Sequence, residues 1–154
     1  MDDALYYALA GVQSDPPLQG SDGAIAIKRY LATHGILAPE LILENGSGLS
    51  RTTRISAETL HRVLSYAYQS RYMPEYLASL SIPGVDGTLR GRLTQGPEVG
   101  WMHMKTGHLD DVAALAGYVH AHNGKTYVAV LLINGEIGGT NALFDTFLQW
   151  TYRQ

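Results

Sequence analysis

A cation, a hydroxyl, a residue without a side chain and an imidazole stand in a row at Lys105-Thr106-Gly107-His108. Lys-Thr-Gly occurs with a Ser-x-x-Lys and a Ser-Asp-Asn in serine enzymes that work by acyl transfer, where the first of those two supplies the nucleophile. Neither companion is in this chain. Its three lysines, Lys28, Lys105 and Lys125, have Ile25, Met102 and His122 three positions earlier. Its four asparagines, Asn45, Asn123, Asn134 and Asn141, have Leu43, Ala121, Leu132 and Gly139 two positions earlier. A tripeptide is short enough to arise by chance, so its surroundings decide what it means.

Other residues invite chemistry less strongly. Ser47 and Ser50 lie in Glu44-Asn45-Gly46-Ser47-Gly48-Leu49-Ser50-Arg51, but Gly46-Ser47-Gly48 is not Gly-x-Ser-x-Gly, and neither serine has a Lys or His at helical spacing. They read as loop residues bonding the backbone. Glu44 is a candidate for activating a water, against the commoner role of a surface carboxylate. Asp86 and Arg90 read as a structural pair. His120 and His122 share a face if extended and could chelate a metal, yet no third ligand is evident and hairpin ends are normally polar, so no metal is expected. The chain has no cysteine, hence neither a disulfide framework nor a thiol nucleophile.

These residues need elements to hold them. A chain of 154 residues with 45% hydrophobic and 16% charged residues suits one domain with one core. A formal net charge of −3, with scattered Lys and Arg, argues against a nucleic acid partner. Asp2 and Asp3 carry the wrong charge for a signal peptide, and no apolar run approaches the ~18 residues of a membrane span. Asp2–Ala10 reads as a short helix ended by Gly11, and Ser14-Asp15-Pro16-Pro17 as a loop. Ser21 should cap a helix with Ala24, Ile27, Leu31 and His34 on one face and Gly35 as its stop. Pro39–Leu43 reads as extended. Ser56 should cap a helix with the stripe Leu60, Val63, Leu64 and Ala67, and Pro74 should open a second helical piece to about Leu80. Ser81–Pro97 reads as loop.

The last third changes character. Val99–Lys105, Val112–His120 and Thr126–Asn134 are rich in β-branched and aromatic residues and read as strands. Asn123-Gly124 makes the last two an antiparallel hairpin. On the first strand His103 and Lys105 share a face with Trp101, leaving Met102 and Met104 for the core. A closing helix carries the stripe Leu143, Phe144, Phe147, Leu148 and Thr151, which should meet the sheet. The fold class is α+β.

Four landmarks now stand in order: Asn45-Gly46-Ser47-Gly48-Leu49-Ser50-Arg51, Gly84-Val85-Asp86-Gly87-Thr88-Leu89, Lys105-Thr106-Gly107 and Ala114-Leu115-Ala116-Gly117-Tyr118. From about Gly20 to its end the chain resembles the C-terminal part of the D-alanyl-D-alanine carboxypeptidase/endopeptidase family, the class C low-molecular-mass penicillin-binding proteins of peptidase family S13. His108 departs from the family, which usually has Ser or Thr there, and Glu44 is a milder variation. In that family the Ser-x-x-Lys lies far upstream and the Ser-Asp-Asn shortly before the position matched by Met1. Residues 1–154 therefore resemble one partial penicillin-binding domain of the transpeptidase and β-lactamase-like fold, lacking its N-terminal portion.

The resemblance implies a serine-type carboxypeptidase acting through an acyl-enzyme on peptidoglycan peptides that end in D-Ala-D-Ala, with β-lactams as inhibitors, no cofactor and a periplasmic or other extracytoplasmic location. It implies that Lys105 is the catalytic cation facing the substrate carboxylate. Thr106 offers that carboxylate a hydroxyl, Gly107 admits the substrate backbone, and the His108 backbone N–H is an oxyanion donor whatever its side chain. Alone, the chain should be inactive. Two other readings compete: a noncatalytic module recognising muropeptides or a protein, and an unrelated α+β binding domain with a chance Lys-Thr-Gly. In the resembling family the sheet takes further strands from the N-terminal part, so the Thr126–Asn134 edge is expected to be open and to support a homodimer.

Overall fold

The computed structural model describes Ala4, Tyr6, Ala8, Leu9 and residues 20–136 and 138–154. Ala4, Tyr6, Ala8 and Leu9 are helical; the rest of the expected Asp2–Ala10 helix, its stop and the Ser14–Pro17 loop lie outside the described residues. The chain divides into two compact units, Met1–Val63 and Leu64–Gln154.

In the first unit, helix α1 runs Gly20–Thr33. Ser21 therefore sits inside the helix and does not cap it. The C-terminal stop at Gly35 is as expected: the amides of His34 and Ile36 both return to the Leu31 carbonyl, at 3.0 and 2.9 Å, closing off the last turn. Leu31, Ile36 and Leu41 form a small core joined by Ile27, Leu43, Ile55 and Val63. The extended stretch makes one antiparallel bridge, Ile42 to Arg54. Helix α2, Ala57–Tyr68, crosses the boundary between the units. Ser56 caps it, its hydroxyl accepting the Thr59 N–H at 3.0 Å. The Glu40 carboxylate in turn accepts the Ser56 and Thr59 hydroxyls, both at 2.6 Å; those two bonds bring its pKa down to about 2.

The second unit is built on a three-stranded antiparallel sheet, β1 Met102–Leu109, β2 Val112–His120 and β3 Thr126–Asn134, in the order β1-β2-β3. Helix α3, Met73–Ala78, precedes it. Helix α4, Thr140–Tyr152, follows it. The pairing of β1 with β2 sets Lys105 opposite Ala116 and Gly107 opposite Ala114. β1 starts three residues later than Val99 and runs four residues past Lys105, because backbone pairing with β2 continues to Leu109 while turns hold the residues before Met102. The amides of Val99 and Trp101 bond back to the carbonyls of Gly96 and Glu98. The whole tetrad thus lies within the strand.

One face of the sheet carries Met102, Met104, Ala113, Leu115, Val119 and Ala129, and packs with Phe144, Leu148 and Tyr152 of α4 and with Leu89. Met102 and Met104 are core residues as anticipated. The stripe of α4 is rotated from the expected one. Thr140, Phe144, Leu148 and Thr151 with Tyr152 are buried, whereas Leu143 stays 50% exposed, because rows spaced by four residues face the sheet and Leu143 lies a quarter-turn away. Arg92 ties the long loop to α4: its guanidinium bonds Asp145 Oδ1 at 2.8 Å and the Asn141 side chain and carbonyl. No ion pair joins Asp86 to Arg90 among the described residues. Asp86 instead accepts the Ile82 N–H at 2.7 Å, which fixes the turn leading into a 3₁₀ helix at Gly87–Leu89.

Candidate active site

Alternation fixes which groups of β1 face outward. The His120 N–H bonds the Trp101 carbonyl at 2.8 Å, so odd-numbered positions of β1 turn their backbone toward β2. Met104 turns the other way and exchanges both backbone bonds with Ser81, at 3.0 and 2.8 Å. By the same period of two, the N–H and C=O of Thr106 and His108 point to that outer edge. Among the described residues no backbone group pairs with them there. Past Ser81, β1 is an open edge two residues long in outward-facing groups.

Side chains decorate this edge. Lys105 is exposed, and its ammonium donates to the Thr106 carbonyl at 2.7 Å. The Thr106 hydroxyl lies 2.9 Å from that of Thr88. Gly107 and His108 are exposed. The structure therefore brings Lys105, Thr106, Gly107 and the His108 amide into one short stretch holding a cation, a hydroxyl and outward backbone donors.

The face of the sheet that carries Lys105 is aromatic. Tyr118 is wholly buried there, with Tyr68 tilted against it and Tyr76 edge-on, their ring centroids 5.6 and 6.3 Å away. Its hydroxyl donates to the Leu64 carbonyl at 2.8 Å. Burial, then the neighbouring Tyr76 and Tyr68, pushes its pKa well above the usual tyrosine range. On the same face His103 meets His120, with rings 5.9 Å apart and nearly perpendicular. His103 Nδ1 is buried with no hydrogen-bond partner among the described residues, and His120 Nδ1 pairs with the Thr126 hydroxyl at 2.9 Å. Burial first, and His103 second, lowers the His120 pKa below the ordinary imidazole value. His120 thus pairs across the strands with His103, and His122 lies beside Tyr152 instead. Sequence spacing missed this pair because it depends on strand register. The two-residue connection Asp110-Asp111 between Leu109 and Val112 was the signal that fixes it.

Glu44, Ser47 and Ser50 lie on one loop of the first unit and bond neighbours within it. Ser50 and Thr52 donate to the Glu44 carboxylate at 2.5 and 2.9 Å, and these bonds lower its pKa. The Ser50 oxygen accepts the amides of Thr52 and Thr53. Ser47 bonds Asn45 and accepts the Leu49 amide. Both serines stabilise backbone turns, as their spacing suggested. Among the described residues no three His, Asp or Glu side chains gather as metal ligands, and no helix is long and apolar enough to cross a membrane.

Comparison with known proteins gives a consistent result. Residues 1–146 match the family described as D-Ala-D-Ala carboxypeptidase 3 (S13). The D-alanyl-D-alanine carboxypeptidase DacB of Haemophilus influenzae is 35% identical over 135 residues, covering 86% of this chain and 28% of that protein. A D-alanyl-D-alanine carboxypeptidase of an Actinomadura species is 31% identical over 121 residues, 75% of this chain and 22% of its own length. The crystal structure of penicillin binding protein 4 (dacB) from H. influenzae, also solved in complex with a β-lactam, superposes with a TM-score of 0.89 at 29% identity; the match covers 99% of this chain and 36% of that one. The chain thus spans less than a third of the length of the curated relatives it matches.

Proposed function

Because the chain belongs to the D-Ala-D-Ala carboxypeptidase 3 (S13) family, we propose that it forms one wall of the active site of a serine-type D-Ala-D-Ala carboxypeptidase or endopeptidase. The observation that carries this reading is the outer edge of β1, where Lys105 and Thr106 flank outward backbone groups of Thr106 and His108. On this reading residues 1–154 are part of a single catalytic domain.

The substrate is a peptidoglycan peptide ending in D-Ala-D-Ala. A serine from a Ser-x-x-Lys, a motif not present in these 154 residues, adds to the carbonyl of the penultimate D-Ala. The terminal D-Ala leaves as the amine, carrying the serine proton, and water then cleaves the resulting ester. Lys105 is the cation for the terminal carboxylate, and the Thr106 hydroxyl donates to the same group. Gly107 lets the peptide lie against the strand, since no Cβ intervenes. The His108 N–H donates to the oxyanion of the tetrahedral intermediate. A β-lactam occupies the same place and acylates the same serine. The chemistry needs no cofactor, and the substrate puts the enzyme outside the cytoplasm, in a periplasm or its equivalent. A second copy of the chain, pairing along β3, is the protein partner we propose.

Lys105→Ala in the intact protein tests this. Truncating one partner of a desolvated charge pair costs about 2–5 kcal/mol, or roughly 30- to 5000-fold in the rate of acylation by a labelled penicillin. Near-normal acylation would reduce Lys105 to a surface charge. His108→Ser should change the rate far less, because the donor is backbone. The 154-residue chain alone should form no denaturation-resistant penicillin adduct.

A further inference from the structure

Thr88 lies outside the tetrad, yet its hydroxyl is 2.9 Å from the hydroxyl of Thr106. We infer that Thr88 is a positioning residue that holds the Thr106 hydroxyl as a donor toward a bound carboxylate. The inference rests on the role given to Thr106 above.

The loop carrying Thr88 is fastened at several points, so the contact is more than a chance meeting of two surface side chains. Ser81 is bonded on both its backbone groups to Met104 of β1. Asp86 holds the Ile82 amide. The Gly84 amide bonds the Leu89 carbonyl at 3.1 Å, and Leu89, adjacent to Thr88, is buried in the core under the sheet. Gly87 presses on Ser81 so closely that a Cβ there would lie 2.8 Å from the Ser81 Cβ. The chain leaves β1's edge at Ser81, opposite Met104. It makes one compact turn and returns its Thr88 side chain to the next outward position of the same edge.

Hydrogen-bond bookkeeping gives the contact a direction. A hydroxyl has one proton and two lone pairs, while a carboxylate only accepts. A Thr106 hydroxyl that donates to a carboxylate can keep its contact with Thr88 only by accepting the Thr88 proton. The reverse arrangement would spend the Thr106 proton on Thr88 and present a lone pair to the anion. Donation by Thr88 also polarises the Thr106 O–H and strengthens its bond to the charged acceptor. Both hydroxyls are accessible, as the role requires.

The test uses the intact protein and two β-lactams that differ only at the carboxylate, one free and one methyl-esterified. Thr88→Val keeps the shape and removes the donor. It should lower the second-order acylation rate for the free acid about 3- to 10-fold and leave the ester within about twofold, with the loss in apparent affinity more than in the limiting rate. Thr88→Ser should restore the wild-type preference, and in a Thr106→Val background Thr88→Val should have no further effect. Equal losses on acid and ester, or no loss on either, would overturn the inference. Lys105→Ala separates the two levels. If it too leaves the acid-over-ester preference intact, the carboxylate does not bind at this edge and the functional reading fails. If Lys105→Ala abolishes that preference while Thr88→Val does not touch it, only the role of Thr88 is lost.

Discussion

Gly117 offers a severe test of how the tetrad strand is held. It sits in β2 directly opposite Met104. A Cβ placed on it would lie 2.9 Å from Met104 Cα and 3.0 Å from the His103 carbonyl carbon, and closer still to the His103 oxygen. Ordinary carbon–carbon contacts need about 3.5–4.0 Å, and the contact with the His103 oxygen is tighter still, so Gly117→Ala must push β1 and β2 apart by roughly 1 Å or more. The obstacles are backbone atoms, so no side-chain rotation relieves them. The flanking hydrogen-bonded pairs, His103 with Tyr118 and Lys105 with Ala116, must stretch past a good N–H to oxygen distance. Overpacking alone costs about 1–3 kcal/mol, and two weakened ladder bonds add about 1 kcal/mol each, for a total near 3–5 kcal/mol. At about 2–4 °C per kcal/mol for a protein of this size, Tm should fall by at least roughly 6 °C in a circular-dichroism melt. A fall of less than about 2 °C would refute the close approach of the two strands at this point.

Arg92→Ala removes the bonds to Asp145 and Asn141 and the contact over the Phe144 ring. It should cost about 2–4 kcal/mol in urea unfolding, and Arg92→Lys should recover little of that, because an ammonium cannot reproduce the fork. Stability should decline with acid in two stages. His120 titrates lower when folded, so the unfolded chain takes up that proton first and stability drops as pH falls below about 6.5. Glu40 titrates near 2 when folded against 4.5 when free, so its contribution is intact above pH 4.5 and disappears as pH falls toward 2. Glu40→Gln should flatten the second stage in pH-dependent denaturation, and an unchanged profile would remove Glu40 from it. Finally, the outward groups of Val128, Val130 and Leu132 on β3 are unpaired with any described strand. Light scattering at high concentration should show a dimer of the chain, with those amides protected from exchange; a monomer with free exchange there would contradict this.

Local chemistry was legible in the sequence and register was not. Asn123-Gly124 placed the β2–β3 hairpin, and alternation put Met102 and Met104 in the core, because both signals act within a few residues. Val99 misled, since a β-branched residue looks like strand although its amide is committed to a turn on Gly96. Ser21 misled in the same way: a good capping residue is also tolerated inside a first turn. For the candidate site, the tetrad was visible and its surroundings were not. The meeting of Thr88 with Thr106 depends on how Ser81 lines up along β1, which no short motif encodes, whereas that of His103 with His120 follows from a register that only the short Asp110-Asp111 connection signals. Asp86 was read as a partner for Arg90 on charge alone, whereas a nearby backbone N–H competes for the same carboxylate.

The open edge of β1 offers a ligand main-chain groups at Thr106 and His108. A main-chain amide is present whatever residue other than proline stands there, so most point mutations cannot delete it as they delete a side chain. Drift at position 108 is correspondingly cheap. On the proposed function, a variant that escapes an inhibitor without losing the side chains of Lys105 or Thr106 must alter the path of the strand. The residues that set that path stand behind and beside it: Gly117, against which β1 rests, and Ser81, which stops the edge at Met104. On the proposed function such changes would bend the recognition of substrate along with that of inhibitor, so resistance arising there would carry a loss of fitness from the first step.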